Sequence, residues 1–481
     1  MNFCTKLLFF AGFVLSFSMV GCSNSGDETG SISFKIMNSG SPAEPNITIP
    51  ENTKTLKLEL FLEPAVTGKA VSFVDSPYTD SKVDKVDLKS GLGGDSKKNV
   101  TKHTYYSVTA DFNGGEPTLE LDDVTEGEWI VRVSALDSEG KNLAYYQDGF
   151  NVSSGSKSDN KCWLNSGSAP EGYIYASNTS NGTMTRFSLY SHLLETCKLN
   201  TGNPAYLFAK SSEPSFSDTL YASTGSDHVL SLVPNILEDR FDVEKLQFPN
   251  NGAYAVGGST AVVSFYNEGL VRFFDYEEKS TSYDYCSTGS GADYISRVVD
   301  SKFWVCNKNS KDLSHVSLES RALVRSNTRL GNDVALAAEP NSDDSKIWLI
   351  GTRSGSGFVR AIKSEDTGGT NWGEFTTALQ SPEALYVDDK ETIYVTDNGR
   401  GELVVLDGSK LDDNGNIKEL FGKTGERMKL PGGGEQILSD GDRLYILQRS
   451  GAKLVEVDLH TKTIARSTSL GSAPRSILHV K

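Results

Sequence analysis

One pattern of apolar and polar positions recurs from Gly172 to the C-terminus: an apolar strand, a polar turn rich in Gly, Asn and Ser, and a second alternating strand. Each first strand contains an aromatic or branched apolar anchor, and the anchors are Tyr175, Tyr221, Val263, Trp304, Trp348, Tyr394 and Tyr445. The steps between anchors are 46, 42, 41, 44, 46 and 51 residues, a spacing typical of four-stranded propeller blades. The pattern predicts a seven-bladed β-propeller over residues 172–481, with six or eight blades as alternatives.

The two ends of this repeat region predict how the ring closes. A further short strand precedes every anchor from the second onward, but Ser168 to Glu171 leave no room for one before the first. Residues 473–481, A-P-R-S-I-L-H-V-K, have the character of the missing strand and no repeat after them. We therefore predict that Arg475 to Val480 supply the innermost strand of the first blade, so that no sheet edge is left open.

The region before the repeats also alternates, but without the period. Residues 31–152 contain short alternating segments separated by turn residues, most clearly in residues 119–146. Strands with one buried face predict a small β-sandwich, with Trp129 in its core. Residues 153–171 are rich in Ser, Gly, Asn and Lys and predict a linker. The expected fold class is all-β, an N-terminal β-sandwich followed by a propeller that the C-terminal strand closes.

The first residues differ from both regions. Lys6 precedes an apolar run from Leu7 to Val20, which is long enough for the core of an export signal and short for a membrane span. This pattern predicts a signal peptide at residues 1–21. Residues 22–30 are mostly small and polar, cannot bury much apolar surface, and predict a flexible tether.

The end of the signal, Ser18-Met19-Val20-Gly21-Cys22, resembles the lipobox of bacterial lipoproteins, although Met19 stands where that family usually has Leu. The resemblance implies cleavage before Cys22 and acylation of that cysteine, for example with palmitate. Two or more acyl chains anchor a protein stably, because each buried methylene is worth about 0.8 kcal/mol. Ser23 implies sorting to the outer membrane of the cell envelope, on its periplasmic or its surface side. Cleavage elsewhere, releasing a secreted protein, is the alternative.

Two further segments resemble known modules. Residues 119–146 resemble the final hairpin of bacterial immunoglobulin-like and fibronectin-like modules, which implies a spacer domain. Residues 393–408, I-Y-V-T-D-N-G-R-G-E-L-V-V-L-D-G, resemble the repeats of NHL and YVTN propellers. Propellers of those families bind ligands at one face of the ring, on the loops that link the second strand to the third and one blade to the next.

Those loops contain polar candidates for ligand binding, namely Asn178, Arg353, Glu383, Asp397, Asn398, Arg400, Arg449 and Arg475. The alternative for each is an ordinary hairpin residue, since Asn, Asp and Gly dominate tight turns. Asp397 and Asn398 also resemble the carboxylate and amide ligands that gluconolactonase-like propellers place around a divalent cation. Oxygen ligands suit calcium, so this pair is the candidate site of such a cation. No other cofactor is predicted.

Charge and motif content narrow the classes of function. The chain has 63 acidic and 47 basic residues, a formal net charge of −16, and no basic cluster that could neutralise a phosphate backbone. Nucleic acid is therefore not expected as a partner. The histidines form no HExxH or HxH set, no GxSxG elbow occurs, and no catalytic residue is assigned.

Four cysteines follow Cys22, an even number that suits disulfides in a compartment outside the cytosol. The pairs nearest in sequence are Cys162 with Cys197 and Cys286 with Cys306. Buried free thiols are the alternative, because sequence alone does not fix connectivity.

Three functions remain open at this point. Tether, spacer and ring together favour a non-enzymatic envelope lipoprotein whose propeller binds a protein, peptide or glycan. The pair of Asp397 and Asn398 favours a metal-dependent lactonase or hydrolase of gluconolactonase-like type. The third function is a scaffold for outer-membrane assembly, by analogy of architecture.

Overall fold

The computed structural model describes residues 29–38, 48–62, 82–89, 97–103, 105–153, 155–199, 203–209, 214, 218–224, 228–235, 240–247, 254–257, 259–275, 284–366, 368, 371–375, 379–412, 415–420, 427–471 and 473–481. The predicted signal peptide and Cys22 lie outside these residues. All regular elements of the described residues are β-strands. None of the described residues belongs to a helix that is long and apolar enough to cross a membrane.

Ten strands make up the N-terminal part: β1 (Thr29–Ile36), β2 (Thr55–Phe61), β3 (Lys82–Lys89), β4 (Lys97–His103), β5 (Tyr105–Asp111), β6 (Thr118–Thr125), β7 (Gly127–Leu136), β8 (Asn142–Val152), β9 (Lys157–Cys162) and β10 (Asn165–Ser166). One sheet has the order β6-β1-β9 and a second has the order β10-β8-β7-β2-β5, while β3 pairs with β4. Buried side chains of both sheets, Phe34 and Trp129 among them, form one apolar core. The alternation therefore produces a β-sandwich, as predicted.

The predicted linker, residues 153–171, is in part a piece of this sandwich. β9 pairs in parallel with β1, from Ser31 opposite Lys157 to Ile36 opposite Cys162, and β10 pairs with β8. β9 is an edge strand whose side chains are mostly exposed or half-buried, so main-chain hydrogen bonds to one neighbour suffice and a polar composition is tolerated. Composition alone therefore misassigned this segment. The predicted tether also ends earlier than expected, because β1 begins at Thr29.

Thirty strands make up the rest of the chain: β11 (Tyr173–Asn178), β12 (Thr183–Ser188), β13 (Leu194–Lys198), β14 (Leu207–Ala209), β15 (Leu220–Ser223), β16 (His228–Asn235), β17 (Arg240–Gln247), β18 (Tyr254–Gly257), β19 (Thr260–Phe265), β20 (Leu270–Asp275), β21 (Tyr285–Ser287), β22 (Ala292–Ile295), β23 (Lys302–Asn307), β24 (Asp312–Ser317), β25 (Ala322–Leu323), β26 (Thr328–Arg329), β27 (Val334–Pro340), β28 (Lys346–Arg353), β29 (Ser356–Lys363), β30 (Asn371–Glu374), β31 (Pro382–Val387), β32 (Thr392–Asp397), β33 (Glu402–Leu411), β34 (Ile417–Glu419), β35 (Met428–Lys429), β36 (Gln436–Asp440), β37 (Arg443–Gln448), β38 (Lys453–Asp458), β39 (Thr463–Ser469) and β40 (Pro474–Val480).

These strands form seven antiparallel sheets, which we number as blades 1 to 7. From the innermost strand outward the blades are β40-β11-β12-β13, β14-β15-β16-β17, β18-β19-β20-β21, β22-β23-β24-β25, β27-β28-β29-β30, β31-β32-β33-β34 and β36-β37-β38-β39. Each innermost strand contacts the innermost strand of the next blade, and β36 contacts β40. The ring is therefore closed, and the prediction of seven blades is confirmed.

The C-terminal strand closes the ring, as the sequence predicts. β40 pairs with β11, and Tyr175 lies opposite Leu478. Ile477 and Val480 are each 1% exposed, so the strand contributes to the core as well as to the sheet. Gly172 adopts a φ of +95°, and a Cβ there would collide with the carbonyl oxygen of Val480. The closure consequently needs glycine at this position.

The repeated anchors are core residues, as expected. Each lies in the second strand of its blade, and six of the seven are at most 5% exposed, namely Tyr175, Val263, Trp304, Trp348, Tyr394 and Tyr445. Second strands are covered on both faces by neighbouring blades, so that all six residues of β11 and of β37 are buried. An outermost strand such as β39 is largely exposed. This difference explains why apolar residues recur with the period of the blade rather than along every strand.

The sandwich packs against one end of the ring. Gln147 donates from Nε2 to the carbonyl oxygen of Leu189 at 2.9 Å, and Leu189 follows the third strand of blade 1. The main-chain N–H of Glu171 points to Asp440 in the last position of β36. We call the end of the ring that carries these turns the sandwich end.

An apolar cluster accompanies these polar contacts. Phe61, Tyr105 and Ile130 of the sandwich share it with Tyr173 and Tyr190 of blade 1. The rings of Phe61 and Tyr190 meet edge to face with their centroids 6.1 Å apart. Because apolar surface is buried on both sides, the sandwich and the propeller are expected to behave as one rigid unit.

Of the two alternatives for the cysteines, nearest-neighbour disulfides or buried free thiols, the structure shows the second at three positions. Cys162, Cys286 and Cys306 are buried free thiols. Cys162 belongs to the sandwich whereas Cys197 lies in β13 of blade 1, and Cys286 and Cys306 lie in different blades. Proximity in sequence failed because consecutive cysteines fall on different sheets.

Candidate functional site

The opposite end of the ring carries the loops that the sequence singles out. In each antiparallel blade the innermost strand begins where the second strand ends, as Gln436 opposite Leu447 shows in blade 7. The links between second and third strands therefore meet the links between blades at one end, which we call the loop end. All eight candidate residues lie there, at the start of an innermost strand or at the end of a second strand and just beyond it: Asn178, Arg353, Glu383, Asp397, Asn398, Arg400, Arg449 and Arg475.

The side chain of Asn178 stabilises a turn of the first blade. Its side chain is 1% exposed, and Nδ2 donates to Oγ1 of Thr183 at 2.9 Å and of Thr185 at 2.8 Å. These bonds hold the turn between β11 and β12. A ligand at the loop end would not reach this amide without moving the turn.

Asp397 and Asn398 do not fit a cation. The carboxylate of Asp397 is fully buried and accepts the main-chain N–H groups of Gln380 and Ser381, the latter at 2.8 Å. Oδ1 of Asn398 accepts the N–H of Gly434 at 2.7 Å. Both side chains thus fasten the links between blades 5, 6 and 7, and their oxygens are engaged in hydrogen bonds.

No other cation site emerges from the part of the chain that the structure describes. Within it, no three His, Cys, Asp or Glu side chains are grouped so that they could hold a metal ion. Since oxygen-ligated calcium takes six to eight ligands, one buried carboxylate beside an amide is too few.

Arg353 is neutralised by its neighbours. It makes two hydrogen bonds of 2.9 Å to the carboxylate of Asp333 and one of 2.8 Å to Glu374. Burial acts to raise the pKa of Asp333, but the hydrogen bonds from Arg353 and the charge of Arg360 outweigh it and hold that pKa below its usual value. The guanidinium therefore has its anionic partners within the protein.

Arg400 and Glu383 are the exposed candidates. Nε of Arg400 lies 3.9 Å from Oδ2 of Asp397, a distance at which the attraction is weak for a partly exposed group. Glu383 is the second residue of β31 and faces solvent. Both charges are accessible at the loop end.

Arg449 and Arg475 form the most unusual arrangement at the loop end. Nε of Arg449 donates to the carbonyl oxygen of Arg475 at 3.0 Å, and Nη2 of Arg475 donates to the hydroxyl of Tyr206 at 2.7 Å. Burial lowers the pKa of Arg449, and the charge of Arg475 lowers it further, while Glu435 and Glu383 act in the opposite direction. Two cations are thus held together in a half-buried position.

Aromatic side chains continue this cluster along blades 2 and 3. The Arg475 guanidinium lies 5.1 Å from the centre of the Tyr206 ring, and the Tyr206 and Tyr254 ring centroids are 6.2 Å apart. Tyr254 stacks on Phe208 at 4.7 Å. Sequence reasoning missed Tyr206 and Tyr254, although both occur in the short segment before an anchor, where the innermost strand begins.

A second polar group lies farther down the innermost strands. The hydroxyl of Tyr294 donates to Oε1 of Glu339, and Arg297 donates to the carbonyl oxygens of Pro340 at 2.9 Å and Val387 at 3.1 Å. Burial raises the pKa of Glu339 to about 7, against the effect of its hydrogen bond from Tyr294. Arg297 joins three blades, so this group stabilises the ring. The carboxyl of Glu339 is about half protonated at pH 7, because its pKa lies there.

Comparisons with known proteins add similarity of fold. No protein-family model matches the sequence, and no curated protein is significantly similar to it. A candidate 6-phosphogluconolactonase from Bacteroides uniformis ATCC 8492 is 13% identical with a TM-score of 0.49, over 64% of this chain and 99% of that chain.

Two further solved structures show the same level of similarity. The β-propeller domain of Cps50 (Swd1) from Myceliophteria thermophila is 10% identical with a TM-score of 0.44, over 57% of this chain and 88% of that chain. AztD from Citrobacter koseri is 12% identical with a TM-score of 0.39, over 64% and 97% of the two chains. The fold of this chain follows from its own sheet order, which makes its C-terminal part a seven-bladed β-propeller.

Proposed function

We propose that this chain is a cell-envelope lipoprotein, anchored through lipid on Cys22, whose propeller binds a protein, peptide or glycan at the loop end. The outer membrane is the proposed location. Binding at the loop end uses accessible charged side chains such as Glu383 and Arg400 and the half-buried pair of Arg449 and Arg475. The alternative of a scaffold for outer-membrane assembly remains a hypothesis by analogy of architecture.

One observation carries the proposal: the sandwich contacts the end of the ring opposite to the loop end. Gln147 reaches Leu189 at the sandwich end, whereas Glu435 and Arg449 meet at the loop end, with 2.8 Å between a carboxylate oxygen and a main-chain nitrogen. The chain enters the sandwich at β1, directly after the predicted tether. A lipid at Cys22 would therefore leave the loop end available to a partner.

The burial and hydrogen bonding of Asp397 favour a binding function over hydrolysis. Asp397 would have to accept a cation or polarise water, but its carboxylate is buried and accepts main-chain N–H groups. Nothing in the arrangement of Asp397 and Asn398 favours the lactonase hypothesis.

The anchor is tested by membrane fractionation. Wild-type protein should sediment with the outer membrane, and Cys22→Ser should appear in the soluble fraction with an unchanged melting temperature. Retention of the variant in the membrane would contradict lipid anchoring.

The binding role is tested with the full-length Cys22→Ser protein on arrays of envelope peptides and glycans. Charge reversal at the loop end by Glu383→Lys should change binding, whereas Lys302→Glu, at the opposite end of blade 4, should leave it unchanged. The proposal fails if no probe binds, or if Lys302→Glu alters binding as much as Glu383→Lys does. Recovery of only membrane-assembly proteins from solubilised envelopes would support the scaffold instead.

A further inference from the structure

Arg449 and Arg475 are neighbouring cations whose guanidinium groups make their hydrogen bonds to neutral atoms. The hydrogen bonds that their guanidinium groups make with described residues go to neutral oxygens, the carbonyl of Arg475 and the hydroxyl of Tyr206. Among the residues that the structure describes, neither guanidinium makes a direct ion pair with a carboxylate, and Glu435 and Glu383 act on Arg449 only from farther away. In a chain with a net charge of −16, this pairing of like charges stands out.

Other arginines of the ring form ion pairs with carboxylates of the protein itself. Arg353 shares two hydrogen bonds with Asp333, and Arg443 lies 2.8 Å from Glu456 and 3.2 Å from Asp458. Both have their charge neutralised by the fold. The pair at blades 7 and 1 is half-buried and has no direct ion pair of this kind, and Glu435 and Glu383 do not outweigh burial and the charge of Arg475. Like charges in a partly dry position repel one another.

We propose that Arg449 and Arg475 bind an oxyanion, the carboxylate or phosphate group of an acidic glycan; this rests on the proposed binding role of the loop end. A bound oxyanion would offset the repulsion and accept hydrogen bonds from the guanidinium nitrogens that these two bonds do not use. Planar guanidinium groups suit this recognition because they donate two parallel hydrogen bonds to such a group.

The surroundings of the pair fit a sugar that carries the anion. Glu383 is exposed, and Glu435 holds the Arg449 main chain through its Oε2 atom. Carboxylates next to a cationic pair can accept hydrogen bonds from hydroxyl groups. The ring of Tyr206 flanks Arg475 and continues into Tyr254, which gives the cluster an aromatic wall of the kind that small-molecule sites use to fix orientation.

The test measures binding by calorimetry to the full-length Cys22→Ser protein. The probes are a galacturonate oligomer, its methyl-esterified form as the neutral match, and inorganic phosphate. We expect the galacturonate oligomer or phosphate to bind and the neutral ester not to bind. Binding of galacturonate assigns a carboxylate as the anion, and binding of phosphate alone assigns a phosphate ester.

Variants separate this site from a general effect of charge. Arg449→Gln and Arg475→Gln should each weaken binding roughly tenfold or more, the effect expected for hydrogen bonds to a charged group. Lys453→Gln removes the same charge from an exposed position at the same end of blade 7 and should change affinity less than about twofold. The melting temperature without ligand should stay unchanged or rise in Arg449→Gln, because a repulsive contact is lost.

Two results would overturn the inference. One is equal affinity for the galacturonate oligomer and its ester, and the other is an oxyanion affinity that neither arginine substitution changes. If a neutral glycan or a peptide still binds and Glu383→Lys abolishes that binding, the proposed function stands while the oxyanion site fails. If no probe binds, the oxyanion site fails, and the array experiment decides separately on the function.

Discussion

Nε2 of Gln147, in the sandwich, lies 2.9 Å from the carbonyl oxygen of Leu189, in the first blade of the propeller. The same amide nitrogen donates to the carbonyl of Pro170, and its oxygen accepts Nε of Arg132 at 2.7 Å. Gln147 is 4% exposed and Arg132 is 6% exposed. One buried amide therefore satisfies three polar groups between the two domains, and its loss would leave all three without that partner.

We expect Gln147→Ala to lower the free energy of unfolding by about 2–4 kcal/mol, because buried polar groups lose their hydrogen bonds. Urea unfolding followed by tryptophan fluorescence measures this effect. Asn151→Ala, on an exposed position of the same strand, is the matched control and should change stability by less than about 0.5 kcal/mol. Equal stability of the two variants would show that the domain contact is weak.

The same experiment tests whether the domains unfold together. A shared apolar cluster predicts a single cooperative transition in wild-type protein. Two separate transitions would mean that the sandwich and the ring are independent units.

Stability should fall as the pH rises through the titration of Glu339. Burial raises the pKa of Glu339 from 4.5 to about 7, so the folded state keeps a proton that the unfolded state releases. Unfolding free energy is therefore lost between about pH 4.5 and pH 7 and is constant above. The loss amounts to about 3 kcal/mol, since each pKa unit corresponds to about 1.4 kcal/mol.

Glu339→Gln should remove this pH dependence. Melting temperatures at pH 5 and pH 8 are compared for wild type, for Glu339→Gln, and for Glu319→Gln, which changes an exposed carboxylate. A slope that survives Glu339→Gln would place the responsible group elsewhere, since burial raises the pKa of Tyr294 well above this range.

Removal of the closing strand should abolish cooperative folding of the ring. Deleting residues 473–481 exposes the edge of β11 and removes Ile477 and Val480 from the core. We expect a broad transition at a lower temperature in calorimetry, whereas Lys481→Ala should melt like the wild type. A truncated protein that unfolds as cooperatively and at the same temperature would refute the closure.

The buried thiols should react only after unfolding. Burial raises the pKa of Cys162 to about 12 and also raises that of Cys286, so that neither forms the nucleophilic thiolate readily at neutral pH. A thiol reagent should label them slowly in native protein and fast in urea. If Cys286 and Cys306 stay unlabelled in urea until a reductant is added, a disulfide exists and the thiol assignment is wrong.

The contacts between side chains of different blades at the candidate site could not be predicted from the sequence. The sequence predicts that Arg449 and Arg475 lie at the same end of the ring. Arg449 follows the second strand of its blade and Arg475 lies near the start of an innermost strand, and both of these positions belong to the loop end. Their contact with each other and with Tyr206 joins blades 7, 1 and 2, and no local pattern encodes which side chains meet between blades. The sequence also made Asp397 a candidate cation ligand. The structure shows that its carboxylate accepts hydrogen bonds from Gln380 and Ser381, and these bonds depend on the path of a loop that no local pattern predicts.

The sequence by itself determined the fold class and the closing strand, and it predicted seven blades with six or eight as alternatives. Burial repeats with the blade, so anchors such as Trp304 and Tyr445 recur at a regular spacing that is visible without coordinates. Tertiary structure alone decided that residues 157–166 join the sandwich, that Cys162, Cys286 and Cys306 remain thiols, and that Arg449 contacts Arg475. The physical reason is that these outcomes depend on contacts between segments far apart in the chain. The residues that flank a position in the sequence do not indicate which distant residue it will contact.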